Sequence, residues 1–196
     1  MKVEFHFDFG SPNAYLSHRA IQKIVRRRDI QFEYIPVLLG GVFKATNNVS
    51  PMVSMHGIKN KSEYQNIETT RFVEEFQIEG FKRNPYFPVN TLQIMRGAVF
   101  AQDKEFYAEY VDLIFQKMWS EEQKMDDSEV ISAALEDLPS AASDILSGMT
   151  LPNVKQKLIE NTEASVARGT FGSPTFFVGD EIYFGKEKLL EIERLV

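Results

Sequence analysis

The pair Ser11-Pro12 stands where a strand gives way to a helix, and it is the arrangement in this chain best suited to chemistry. Serine at an N-cap followed by proline at the first helical position marks a helix start. Such an N-terminus carries unpaired N–H groups and about half a positive charge, so it favours an anion placed against it. A capping box would require Glu or Gln at residue 14, which is Ala14, so the serine is not committed to that reciprocal arrangement. By itself the dipeptide reads as a helix cap.

Other chemistries find little support. The chain has no cysteine, which removes disulfides, thiolate metal sites and a redox dithiol of its own. His6, His18 and His56 are isolated and form no His-Glu-x-x-His pair, so no metal is expected; His6 and His18 read as surface or satisfied residues. Asp126-Asp127 lacks the alternating acids and glycine of a calcium loop. Gly40-Gly41 is not followed by Gly-Lys-Ser/Thr, so no phosphate loop is indicated. A net charge of −6 argues against nucleic acid as a partner. No apolar run is long enough to span a bilayer, and the N-terminus enters a strand directly, so no membrane partner and a cytoplasmic location are expected.

The elements that must position Ser11 follow from periodicity. Val3, Phe5, Phe7 and Phe9 alternate with Glu4, His6 and Asp8, the period of a strand. An apolar stripe through Leu16, Ala20 and Ile24 predicts a helix over about 12–28, closed by Arg26-Arg27-Arg28, and 30–37 returns as a second strand. Such a βαβ unit implies parallel pairing. From about 45 to 149 the texture is helical, with runs at 62–77, 90–101, 103–119 and 128–138, interrupted by the proline-rich loop Asn84-Pro85-Tyr86-Phe87-Pro88. Pro152 opens another helix, and Thr175–Val178 and Ile182–Phe184 flank Gly179-Asp180-Glu181 as a hairpin before a last helix over 186–195. The order is therefore that of an α/β, thioredoxin-like fold, discontinuous over 1–44 and 150–196, with a large all-helical insertion over 45–149. With 43% hydrophobic residues, the chain has ample material for a core.

Four segments carry a family likeness. Phe7 to Leu16, Leu38 to Asn48, Gly169 to Val178 and Tyr183-Phe184-Gly185 together resemble 2-hydroxychromene-2-carboxylate isomerases and kappa-class glutathione S-transferases, glutathione-using relatives of the DsbA-type thioredoxin fold. The resemblance implies that Ser11 occupies the position of the first active-site cysteine of disulfide oxidoreductases and is the catalytic residue, supporting the sulfur of glutathione as a thiolate. A hydroxyl donor and a helix N-terminus both favour a thiolate over its thiol. It further implies a cis Pro174 preceded by Ser173, whose backbone pairs with the cysteinyl unit, and glutathione contacts from Asn48, Lys61, Glu187 and Lys188. Relatives carry Asp and Arg where this chain has Glu187 and Lys188; the charge signs persist, but the arginine fork is lost.

The activity implied is glutathione-dependent interconversion of 2-hydroxychromene-2-carboxylate and trans-o-hydroxybenzylidenepyruvate, or a close aromatic analogue, by reversible thiolate addition. Lys44, Lys82 and Arg83 are candidates for the substrate carboxylate, and Tyr86 and Phe87 for an aromatic wall. The alternatives are a kappa-class-like transferase or peroxidase, or a thioredoxin-fold binding module without turnover. Relatives also imply a homodimer.

Overall fold

The computed structural model describes residues 2–195. Strand β1 (Lys2–Phe7), helix α1 (Pro12–Ile24) and strand β2 (Gln31–Pro36) form the opening unit, with β1 and β2 parallel and Phe5 beside Tyr34. Seven helices follow: α2 (Leu39–Thr46), α3 (Pro51–Ser54), α4 (Lys61–Glu75), α5 (Leu92–Ala101), α6 (Tyr107–Trp119), α7 (Ser128–Leu135) and α8 (Ala142–Gly148). Helix α9 (Pro152–Ala167), strands β3 (Thr175–Val178) and β4 (Glu181–Phe184), a 3-10 turn over Lys186–Lys188 and helix α10 (Leu189–Arg194) complete the chain. The sheet order is β2-β1-β3-β4, with β3 antiparallel to both its neighbours.

This order makes β1 an inner strand covered on both faces. Phe5, Phe7 and Phe9 pack on one side against Tyr34, Phe115 and Phe176, with ring centroids 4.8–5.7 Å apart in the pairs Phe5–Tyr34, Phe5–Phe176, Phe7–Tyr34, Phe7–Phe115 and Phe9–Phe115. Burying each such ring stabilises the fold by about 1.5–3 kcal/mol. The polar side of the strand is not the solvent side: His6 and Asp8 are 3% and 1% exposed. Helix α9 covers His6, whose Nδ1 lies 2.8 Å from Ser165 Oγ. One continuous buried cluster includes Leu16 of α1, Ile94 of α5, Phe115 of α6, Leu158 of α9 and Leu189 of α10.

The elements depart from periodicity in several places. Helix α1 stops at Ile24 rather than near 28, because the arginine triplet is exposed and Arg27 turns to donate two hydrogen bonds to Glu193 of α10, at 2.7 and 2.8 Å. Helix α6 begins at Tyr107, after a turn over 103–106. Helices α2 and α8 carry no obvious stripe, since each contains glycine, a poor helix former. In α2, a β-carbon at Gly41 would meet Thr162 Cγ2 at 3.2 Å, so that glycine admits α9 at close range. In α8, a β-carbon at Gly148 would strike the Phe100 ring at 2.3 Å. Tertiary contact, rather than intrinsic propensity, fixes both. Among the described residues, no helix is long and apolar enough to cross a membrane.

Candidate active site

Ser11 sits at the carboxyl end of β1, in a turn that Asp8 holds shut. The N–H of Gly10 donates to Asp8 Oδ1 at 2.8 Å, and the N–H of Ser11 donates to the Asp8 carbonyl at 3.0 Å. Ser11 then caps α1 from extended backbone (φ −94°, ψ 114°), its Oγ accepting from the N–H of Ala14 at 3.2 Å. The same Oγ donates to the carbonyl of Ser173 at 2.8 Å. A serine hydroxyl has one proton to give. Here it goes to Ser173.

Ser173 belongs to the loop before β3, and its bond to Pro174 is cis, as the family resemblance implies. Its own Oγ accepts from the N–H of Asp8 at 3.2 Å, so this loop is tied to β1 twice, through Asp8 and through Ser11. The Pro174 carbonyl accepts from the N–H of Gly185 at 3.1 Å, which draws the segment carrying Glu187 and Lys188 to the same place. Asn48 follows the left-handed cap Asn47 (φ 52°) and donates from Nδ2 to the carbonyl of Phe171 at 2.9 Å. Four of the candidates, Ser11, Asn48, Ser173 and Pro174, thus belong to or are bonded to the single loop over 171–174.

The remaining candidates are more dispersed. Glu187 pairs with Lys186, whose ammonium is buried over the Phe72 ring, and Lys188 pairs with Glu191 at 2.5 Å. Both therefore meet a partner within their own segment. Lys61 opens α4 and is exposed, as is Lys44 on α2. Lys82 pairs with Glu122 at 3.2 Å, and Arg83 donates to Asn66 Oδ1 at 2.7 Å. Phe87 packs beside Trp119, with ring centroids 5.9 Å apart, and Trp119 donates from Nε1 to the Phe9 carbonyl at 2.7 Å, so this loop is connected to the Ser11 turn through one indole. Tyr86 instead lines a separate hollow of about 510 Å³ with Lys117 and Asp137.

The alternation pattern conceals one residue at the centre of this group. Asp8 Oδ1 accepts from Thr91 Oγ at 2.7 Å as well as from Gly10, and Oδ2 accepts from the N–H of Leu39 at 2.7 Å. Burial raises its pKa above the ordinary carboxylate value, against the opposing pull of those three donors. Leu39 is the first residue of α2 and Thr91 the N-cap of α5. The amino ends of three helices, α1, α2 and α5, therefore converge on a few residues. That concentrates partial positive charge at the end of β1. The one signal in the sequence was an acid enclosed by Phe7 and Phe9.

A family model described as the DSBA-like thioredoxin domain matches residues 2–196. The chain belongs to that family. The DSBA-like protein is similar over 98% of its length to a 2-hydroxychromene-2-carboxylate isomerase of Pseudomonas putida, at 28% identity, covering 93% of that relative. It is also similar to glutathione S-transferase kappa 1 of Rattus norvegicus, at 25% identity over 88% of this chain and 79% of the relative. A solved structure of 2-hydroxychromene-2-carboxylate isomerase superposes with a TM-score of 0.84 at 27% identity, over 100% of this chain and 94% of that one. The thioredoxin-like fold read from the order of elements is thus shown.

Two further buried polar groups lie elsewhere in this DSBA-like fold. His6 lies between Glu4 Oε2, at 3.0 Å, and Ser165 Oγ, at 2.8 Å, and that oxygen lies 2.7 Å from Thr170 Oγ. His18, on α1, lies between Asp112 Oδ1 at 3.0 Å and the Tyr34 hydroxyl at 2.9 Å. Both histidines are satisfied, and both are buried rather than at the surface. Burial pushes each imidazole below its ordinary value, while the His18 hydrogen bond holds Asp112 down to about 2. Among the described residues, no group of three or more His, Asp or Glu is arranged to hold a metal ion.

Proposed function

We propose that this protein is a glutathione-dependent isomerase that interconverts 2-hydroxychromene-2-carboxylate and trans-o-hydroxybenzylidenepyruvate, or a close aromatic analogue. The observation that carries the proposal is the 2.8 Å contact between the Ser11 hydroxyl, at the mouth of α1, and the carbonyl of Ser173 before cis Pro174. The donor set fits a cysteinyl thiol. A hydroxyl and a helix N-terminus face an anion, a main-chain carbonyl stands beside them as an acceptor, and the chain has no sulfhydryl of its own. When bound, glutathione would supply a thiolate that adds reversibly to the conjugated double bond, allowing rotation before the same thiolate leaves.

The work of the chain is to hold and release one proton's direction. In the free protein the Ser11 hydroxyl is committed to Ser173. With glutathione bound, the Ser173 carbonyl would accept from a ligand amide, which would free the Ser11 hydroxyl to donate to the sulfur. Proline at the first helical position has no N–H, so Asn13 presents the first free amide of α1 towards the same anion. Asn48 would hold the ligand from the end of α2, Lys61 its glycyl carboxylate, and Glu187 and Lys188, now paired with Lys186 and Glu191, its γ-glutamyl end. Of the three candidate cations for the substrate carboxylate, Lys44 is favoured, because Lys82 and Arg83 are held by Glu122 and Asn66. Phe87, backed by Trp119, forms the aromatic wall.

Calorimetric titration with glutathione, followed by an ultraviolet assay of chromene-carboxylate opening, tests the reading on wild type and Ser11→Ala. Glutathione-dependent turnover that the variant loses supports it. Binding with no turnover points to a kappa-class-like transferase or to a binding module, and the absence of glutathione binding sinks the proposal. The likeness to glutathione S-transferase kappa 1 keeps the transferase as the second reading.

A further inference from the structure

The buried carboxylate of Asp8 has no part in the chemistry above, yet Asp8 touches the Ser11 turn, the loop before β3 and the starts of α2 and α5. Its Oδ1 holds Gly10, one residue before Ser11, and the Thr91 cap of α5; its Oδ2 holds Leu39 at the start of α2. Its main chain adds two more ties, donating to Ser173 Oγ and accepting from the N–H of Ser11. The side chain is 1% exposed, and three donors rather than a cation compensate it. Such a group is costly to bury unless it organises something. The amino ends of α2 and α5 supply the partial positive charge that makes an anion tolerable there.

We infer that Asp8 is the positioning residue of this site, and that its carboxylate sets Ser11, Ser173 and the α2 segment ending at Asn48 in mutual register for a thiol ligand. The inference rests on the reading of the site as a glutathione site. Leu39 is the first residue of α2 and Asn48 follows its left-handed cap, so a shift at Leu39 is delivered at Asn48. The Ser11 turn, by contrast, keeps its Gly10 bond as long as one oxygen remains. Asp8→Asn separates these ties. The amide keeps one acceptor for Gly10 and Thr91 and presents an NH2 to the N–H of Leu39, so two donors face each other and the α2 tie is lost.

The test uses full-length protein, with Ile131→Val, a core change in α7, as the control for lost stability. In Asp8→Asn, the glutathione Kd should rise at least tenfold while the maximal rate at saturating thiol changes less than threefold. Backbone amide resonances of Leu39, Asn48 and Ser173 should move together. Ile131→Val should leave Kd and those resonances where they are. An Asp8→Asn protein with wild-type Kd and unmoved Asn48 and Ser173 resonances would reduce Asp8 to a structural residue and overturn the inference. Should wild type itself fail to bind glutathione, the functional reading falls, and the amide shifts alone still decide whether Asp8 sets the register.

Discussion

Two serines in this fold sit among similar partners and differ in what they can do. Ser165 has a histidine and, beyond it, a glutamate, the residue types of a hydrolytic triad, whereas Ser11 has no histidine near it in the hydrogen-bonded group. Yet Ser165 lies inside α9 with no exposed surface, its hydroxyl enclosed between His6 and Thr170. Ser11 caps a helix at the end of a strand, keeps 5% of its surface, and is bonded to the loop that carries exposed Phe171 two residues before Ser173. The difference lies in where the backbone places each hydroxyl, and not in the list of residues around it. A helix mouth gives the oxygen an open side and a field; a mid-helix position under a sheet gives it neither.

Ser11→Ala should make the sharpest break, lowering glutathione-dependent turnover by about a hundredfold or more, as loss of one preorganised donor does. Its unfolding free energy should fall by only about 1 kcal/mol, the loss of a cap; an equal fall in rate for Ser165→Ala would erase the contrast. Ser165→Ala should instead cost about 1–3 kcal/mol in denaturant unfolding, since it orphans a buried imidazole nitrogen, and leave turnover unchanged.

Acid titration separates the regions next. His6 and His18 have imidazoles held below the ordinary 6.5 by burial, against the pull of Glu4 and Asp112. Their contribution is complete above pH 6.5 and is lost as pH falls through the folded values, because the unfolded chain takes up protons that the folded one refuses. The slope should reach about 1.4 kcal/mol per pH unit for each histidine within that window. Melts of His18→Gln across pH 7 to 4 should show a shallower slope than wild type. The smallest effect belongs to Arg168, whose guanidinium lies 3.9 Å over the Phe177 ring and pairs with Glu4. Arg168→Lys should cost about 0.5–1 kcal/mol in the same melts, mostly by losing the planar contact.

The legible parts of the molecule were those governed by local rules. Alternation found β1, the Ser-Pro pair found the start of α1, and the glycine-containing loop at 179–181 found the final hairpin. What stayed hidden depends on contacts distant in sequence. Asp8 falls on the nominally polar side of β1, and only Leu39 and Thr91, 31 and 83 residues away, explain why it is buried. Helix α2 was invisible because its glycines suppress the periodic signal, and the reason for Gly41 is Thr162 in α9. Trp119, the single tryptophan, gave no sign that its indole reaches the strand end that carries the site.

The bond from Ser11 to Ser173 has a consequence for which thiols the protein would accept. A simple alkanethiol such as ethanethiol would bring sulfur but no second donor, so drawing the hydroxyl away would leave the half-buried Ser173 carbonyl without its protein partner. The penalty is at most the roughly 1–3 kcal/mol of a fully buried unsatisfied group, and smaller where water reaches the carbonyl. On the glutathione reading, that resting hydrogen bond would favour a thiol that carries a backbone amide over one that carries sulfur alone.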